Sequence, residues 1–528
     1  MLRLPSMVYN QQLNPDESQM ITQAITLLQN PVYWDSVDGT TIGPINSYLL
    51  VWPGLFGWPI TYFTTRLTGT VLIGFILLFL FAGLRRVVAP QSARIALVVL
   101  VLFFSYVIHF DFLHYSSELA SLVLLTLGWY YFIRLQAPSG FSNQRLDGLW
   151  AGFALGCVPF AKLQSMPSAA LIAVAILASL FFLRPCQHRG INPPVWFILG
   201  LALPTGFVVG CCYYFGVLNR FYTFYIQSNL FNYGEYNQYL YPATRLSFWS
   251  KTLRLPVFFQ SETTFLPFFL FVLLLSAATV WIILIKRQPL LPGKRWIGCW
   301  SVAWLGASLY SVVKPGTEFT HHLLLLVPSL GWLGNLVIDQ FLSLQTARYP
   351  VIFPRLFLLG NLFFFGKTAI QFRQNPVATN YYLYATRNPA HFPNSRVSDV
   401  LLHYARPNDR LVVWGWNMTY HVEAQLPQGT SENHSFRSIV PHSLRRAYQE
   451  KYMEDITSTQ PTLFVDATGP NSLWMTDTTV YRHENFPALA SYISKQYHQV
   501  AVVDQVRIYL RNDRAMRLQT FLPPNLMH

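Results

Sequence analysis

The sequence predicts a polytopic α-helical membrane protein, with about 10–11 transmembrane helices and a C-terminal extracytoplasmic α/β domain. Three observations carry that prediction. Only 11% of the 528 residues are charged and 52% are hydrophobic, whereas a soluble domain is roughly a quarter charged. Apolar runs of about 17–22 residues, long enough to cross a hydrocarbon core, recur to residue 370. Beyond that point the chain turns polar and alternates strand-like with helix-like stretches.

The apolar runs centre on 67–84, 95–110, 118–134, 148–162, 167–183, 195–217, 265–285, 296–313, 322–338 and 351–369. The loops between them alternate in character. One set is short and basic: Arg85, Arg86 and Arg94; Arg134 and Arg145; Arg184 and Arg189; Lys286, Arg287, Lys294 and Arg295; Arg348. The other is acidic, aromatic or long: 14–60, "HFDFLHYSSE" (109–118), 218–264 and "KPGTEFTHH" (314–322). The positive-inside rule puts the basic set in the cytosol. The second set and the C-terminal domain then face outward from the inner (plasma) membrane. The net charge of +14 is scattered over short loops, a pattern of membrane orientation rather than of a nucleic-acid groove.

The five cysteines, Cys157, Cys186, Cys211, Cys212 and Cys299, lie in apolar segments or cytosolic loops, and the polar C-terminal third has none. That excludes a disulfide framework and a cysteine-based zinc site. "MLRLPSMVYNQQL" lacks the apolar core of a cleavable signal peptide. The orientation leaves Met1 outside, so a further transmembrane helix before it is expected. Translocation of the N-terminus by the next span is the alternative.

The boundaries that follow are a transmembrane domain over 1–370, with its first outer loop at 14–60, and an α/β domain over 371–528. In the latter, "DRLVVWGW" (409–416), "PTLFVDAT" (461–468) and "HQVAVVDQVRIYLRND" (498–513) read as strands. Residues 442–458 and 486–497 read as amphipathic helices. No phosphate-binding glycine motif accompanies them.

The chemistry-bearing residues cluster in the outer loops. In "NPDESQ", Asn14 suits an N-cap, Pro15 the first helical position, and Glu17 a capping-box acid. Asp16 and Glu17 are therefore either helix-terminal acids or the working carboxylates of a site; Asp35 and Asp38 follow in the same loop. In "HFDFLHYSSE", His114 and Glu118 are one helical turn apart, and with His109 and Asp111 they form a possible divalent-metal set. The alternative is ordinary interfacial polarity, although a carboxylate at the start of an apolar helix is a functional candidate in its own right. "PFAKLQ" supplies Lys162 and Gln164, where the lysine could simply snorkel. "KPGTEFTHH" supplies Lys314, His321 and His322, of which one histidine is expected to face a site. Cations on an outer face run against the positive-inside rule, and a lipid phosphate held there accounts for them.

Taken together, "NPDE" followed by "GPINSYLL", then "HYSSE", "PFAKLQ" and "GTEFTHHLLLLVP" resemble the integral-membrane glycosyltransferases of the GT-C fold. The chain is most similar to bacterial relatives of protein mannosyltransferases and of the lipid A aminoarabinose transferase. The resemblance implies a polyprenyl-phosphate-linked sugar donor, inverting transfer outside the membrane, and a catalytic acid in the first outer loop, at Asp16 with Glu17 beside it. It leaves the acceptor open among glycan, lipid and protein. A phosphate leaves as an anion and needs no general acid, so one carboxylate base suffices together with the cations Lys162, Lys314, His321 and His322 and the Gln164 amide to bind the donor phosphate. The competing class is a transporter or lipid flippase using the same polar residues as a path. That class calls for mid-span charges and repeat symmetry between halves, and the sequence shows neither.

Overall fold

In hydrocarbon every backbone N–H and C=O must bond within its own segment, so an apolar run that enters the bilayer becomes a helix. The computed structural model shows this for each expected run that it describes; it describes residues 3–107, 109–136, 143–183, 193–256, 292–343, 366, 370, 394–470 and 472–514. Six described stretches are long and apolar enough to span: Tyr62–Leu84, Glu118–Leu135, Leu163–Phe181, Pro193–Tyr214, Arg295–Val313 and Thr320–Asp339. The runs expected at 95–110 and 148–162 form the helices Pro90–Tyr106 and Gln144–Ala161. The one at 265–285 and, apart from residue 366, the one at 351–369 lie outside the described residues, as does Cys186. The protein is a polytopic α-helical membrane protein with a small C-terminal mixed-sheet domain.

The chain divides into two units. The first comprises Met1–Tyr9, Arg66–Cys211 and Arg245–Arg387. Its helices pack through small residues and buried rings, because lipid offers no hydrophobic drive between apolar helices and close contact must supply the attraction. A Cβ on Gly152 would lie 2.1 Å from the Phe197 carbonyl oxygen, and one on Gly200 would lie 2.2 Å from that of Leu149. Only glycine lets the helices Gln144–Ala161 and Pro193–Tyr214 touch backbone to backbone there. Trp129 stacks on Trp304 at 4.7 Å and meets Trp332 edge-on at 5.6 Å. The start of Pro90–Tyr106 is capped from a distant helix, with Asp339 Oδ1 accepting from Ala89 N and Ser92 Oγ at 2.9 Å each.

The second unit comprises Asn10–Thr65, Cys212–Thr244 and Asn388–His528. Its centre is a four-stranded sheet of β1 (Leu411–Trp414), β2 (Leu463–Asp466), β3 (Tyr497–Val503) and β4 (Val506–Arg511), in the order β1-β2-β4-β3. β1 and β2 run parallel, and the other pairs are antiparallel. The two-residue period of a strand sends Leu411 and Val413 to one face, against Val397 and Leu401. It sends Val412 and Trp414 to the other, against Ile456, Leu489 and Ile493. Both faces are therefore covered by helices. The stretch 498–513, read from sequence as one strand, is a hairpin of β3 and β4. Asp504 and Gln505 turn it at φ of 50° and 66°, the left-handed conformation of a tight hairpin turn. With no glycine there, the sequence carries none of the usual turn signal.

The first outer loop is built into this unit. Gln428 N donates to Thr26 Oγ1 at 3.0 Å, Thr419 Oγ1 to Gln12 Oε1 at 2.9 Å, and Asn433 Nδ2 to the Gln19 carbonyl at 3.0 Å.

Candidate functional site

In the first unit, the helix Glu118–Leu135 starts on a carboxylate, the charge that the N-terminal N–H groups of a helix favour. Glu118 is fully buried, and a buried charge needs a partner. That partner is Lys162, whose Nζ lies 3.1 Å from Glu118 Oε1. Lys162 ends the helix Gln144–Ala161, where a cation suits the C-terminal dipole, and extended backbone there leads into the 3₁₀ turn Leu163–Ser165. Lys162 Nζ donates to Ser117 Oγ at 2.6 Å, Ser116 Oγ donates to Glu118 Oε2, and the Ser121 and Ser165 hydroxyls bond at 2.8 Å. This lysine is held inside the protein and does not snorkel. Ser117 of "HYSSE" drew no role from sequence, because the lysine it accepts from lies more than forty residues away.

His321 and His322 stand on the 3₁₀ turn Thr320–Leu326, reached through Gly316 and Glu318 at φ of 74° and 53°. Their rings are perpendicular, with centroids 4.8 Å apart. A nitrogen of each lies within 4.8 Å of a Glu118 oxygen. Perpendicular rings on this tight turn bring both histidines near Glu118. Asp111 Oδ2 lies 3.6 Å from His321 Nδ1. Burial pushes the Asp111 carboxyl up, but His321, His114 and His109 together hold it below the usual carboxylate range. The His114 ring lies 6.0 Å from that of His321 and its Nδ1 is 3.1 Å from the Phe110 carbonyl.

The remaining expected residues make other contacts. His109 Nδ1 accepts from Asp111 N at 3.2 Å and caps the short turn Phe110–Leu113. Gln164 Nε2 donates to the Ser311 carbonyl at 2.9 Å. Lys314 is exposed, and its carbonyl accepts from Lys251 Nζ at 3.0 Å.

Asp16 and Glu17 belong to the second unit, in the first turn of the helix Pro15–Gln29. The cap of that helix is Asn14, whose Oδ1 accepts from Asp16 N at 2.9 Å. Glu17 is buried and Asp16 is partly exposed. The other two acids of the loop are structural. Asp35 pairs with Arg220 at 2.5 Å. Asp38 is buried, donates its N–H to the Ser431 carbonyl at 2.7 Å, and accepts from Thr40 N at 2.8 Å. Burial raises the Asp38 carboxyl and pushes that of nearby Glu432 up to about 8, against the opposing charge of Arg437.

In the first unit, among the described residues, the atoms of Glu118, His321 and His322 are placed closely enough to hold a metal ion, a different set from the His109, Asp111, His114 and Glu118 expected. The Lys162 ammonium already balances Glu118, so a divalent cation would have to displace it. Two imidazoles and an ammonium suit an anion at least as well.

No family model matches this sequence, and no curated protein matches it. Solved structures do match in fold, two of them of one enzyme. The crystal structure of ArnT from Cupriavidus metallidurans bound to undecaprenyl phosphate has a TM-score of 0.56 and 12% identity, covering 96% of this chain and 95% of that one. The apo structure of the same enzyme gives 0.56 and 12%, covering 98% and 96%. At that identity the likeness is one of fold, and the fold is the GT-C type that "NPDE", "HYSSE" and "GTEFTHH" resemble in sequence.

Proposed function

We propose that this protein is a glycosyltransferase that moves a sugar from a polyprenyl-phosphate donor to a glycan, lipid or protein acceptor outside the membrane. The observation that carries the reading is the buried Glu118–Lys162 pair with His321 and His322 around it. Three donors of positive charge or N–H are thereby held at one end of the spans, as a phosphate requires. The fold likeness supports the same reading, since one ArnT structure holds undecaprenyl phosphate. A carboxylate base takes the proton of the acceptor hydroxyl, and the sequence resemblance gives that role to Asp16. The oxygen attacks the anomeric carbon from the face opposite the phosphate, and the sugar–phosphate bond breaks with inversion. The phosphate departs as an anion, so the step needs no general acid. Lys162, His321 and His322 stabilise it, and Glu118 holds Lys162 in place.

Mass spectrometry of membranes with and without the intact gene tests the reading. A polyprenyl-phosphate sugar accumulates when the gene is lost, and identical lipid profiles refute the proposal. Orientation has its own test in intact cells, with the native cysteines replaced. A reporter cysteine at Arg295 is shielded from impermeant thiol reagents, and one at Glu450 reacts. Residues 431–438 are buried, so that stretch is unsuited to a reporter; labelling at Arg295 overturns the orientation.

A further inference from the structure

The second unit contains a cavity of about 250 Å³ that the transfer chemistry above does not use. Its size is close to the lower end of small-ligand sites, roughly 300–1,000 Å³, which is room for a substituted sugar. The cavity lies at the end of β1, whose last residue, Trp414, forms part of its wall. In α/β sheets the ends of parallel strands are where ligands gather. Trp414 is fixed there by an indole N–H bond of 2.8 Å to the Tyr481 carbonyl.

Its charge is one-sided. Arg445 and Arg482 border it, and among the described residues no carboxylate does. Two helices also begin at its wall, Arg445–Thr459 and Pro487–Gln496, and neither N-cap residue, Leu444 or Phe486, supplies a side-chain capping bond. Each brings the positive end of a helix dipole to the same wall. Tyr239, half exposed, and Phe486 add ring surface. The Gln449 and Asn485 amides are steadied by 2.9 Å bonds to the Ser438 and Thr479 carbonyls.

We propose that this cavity binds an anionic sugar unit, one bearing a phosphate or carboxylate, as a docking site for the acceptor. The arginines and helix ends take the anion, while the rings and amides take the sugar face and its hydroxyls. The word acceptor rests on the glycosyltransferase reading; the binding itself does not.

Titration calorimetry of the purified full-length protein in detergent tests it, with glucosamine 6-phosphate, glucuronate, glucose and inorganic phosphate as probes. The two anionic sugars bind, and glucose binds at least about 10-fold more weakly. The Arg445→Gln/Arg482→Gln variant loses roughly 10- to 150-fold in affinity for glucosamine 6-phosphate with an unchanged melting temperature. Tyr239→Ala, a change at an exposed residue that spares the fold, weakens both sugars and leaves inorganic phosphate alone. Absence of anionic-sugar binding, or undiminished binding in the arginine variant, overturns the proposal. Inorganic phosphate binding as tightly as the sugar phosphate overturns its saccharide half. Binding without any sugar transfer in membranes upholds the cavity and removes the glycosyltransferase reading.

Discussion

Replacing Asp16 with asparagine lowers sugar transfer by about 10²- to 10⁴-fold, the usual contribution of a general base, and leaves the protein folded. The alternative is that Asp16 only stabilises a helix end. The structure is compatible with that alternative: Asn14 caps the helix Pro15–Gln29, accepting from Asp16 N at 2.9 Å, and Asp16 stands in its first turn. What remains for the Asp16 carboxylate as a helix-terminal charge is about 0.3–1 kcal/mol, too little to abolish activity through unfolding. Asparagine keeps the shape and the hydrogen-bonding oxygen but cannot take a proton from a hydroxyl. Glu17→Gln gives a smaller loss, since Glu17 is buried at a capping-box position that glutamine also serves. The assay is transfer in membranes at matched protein level. A dead Glu17→Gln beside an active Asp16→Asn exchanges the two roles, and two active variants remove the catalytic assignment.

Lys162→Met destabilises the protein by about 3–5 kcal/mol, the cost of leaving one charge of a buried pair alone. Glu118 is fully buried, and the 3.1 Å contact with Lys162 Nζ is its ion pair. The paired change Glu118→Gln/Lys162→Met recovers most of that stability, because no uncompensated charge is left. It does not recover transfer, because the cation proposed to hold the donor phosphate is gone; a lost charged hydrogen bond to an anion weakens turnover or donor binding roughly 10- to 150-fold. Thermal melts and transfer rates are read on the same preparations. Recovery of both stability and transfer in the double variant makes the pair purely structural and withdraws Lys162 from the phosphate.

The fold class was open to reading because its signals are local. Hydropathy over a 20-residue window needs only the window, and the spans Tyr62–Leu84, Pro193–Tyr214 and Thr320–Asp339 stand where the sequence puts them. Strand periodicity at "LVVW" and "LFVD" is equally local, and both form fully buried strands. The segments "NPDE", "HYSSE", "PFAKLQ" and "GTEFTHH" also marked themselves, as polar residues at the ends of apolar runs where burial is costly.

What each of those residues touches depended on how the chain closes over long sequence separations. Nothing near Glu118 in sequence announces Lys162, and nothing in "THH" indicates that perpendicular rings bring both histidines to one carboxylate. The four acids of the first outer loop look alike in sequence. Folding buries Asp38 beside Glu432, pairs Asp35 with Arg220, sinks Glu17 and leaves Asp16 partly open. The cavity between Arg445 and Arg482 has no motif at all, because its lining comes from four separate stretches of the second unit. Composition and period are properties of neighbouring residues, and they determined that this chain enters a membrane and carries a small α/β domain. Desolvation and charge pairing act between residues far apart in the chain, so only the tertiary structure decided which polar groups are buried and paired and which stay partly open.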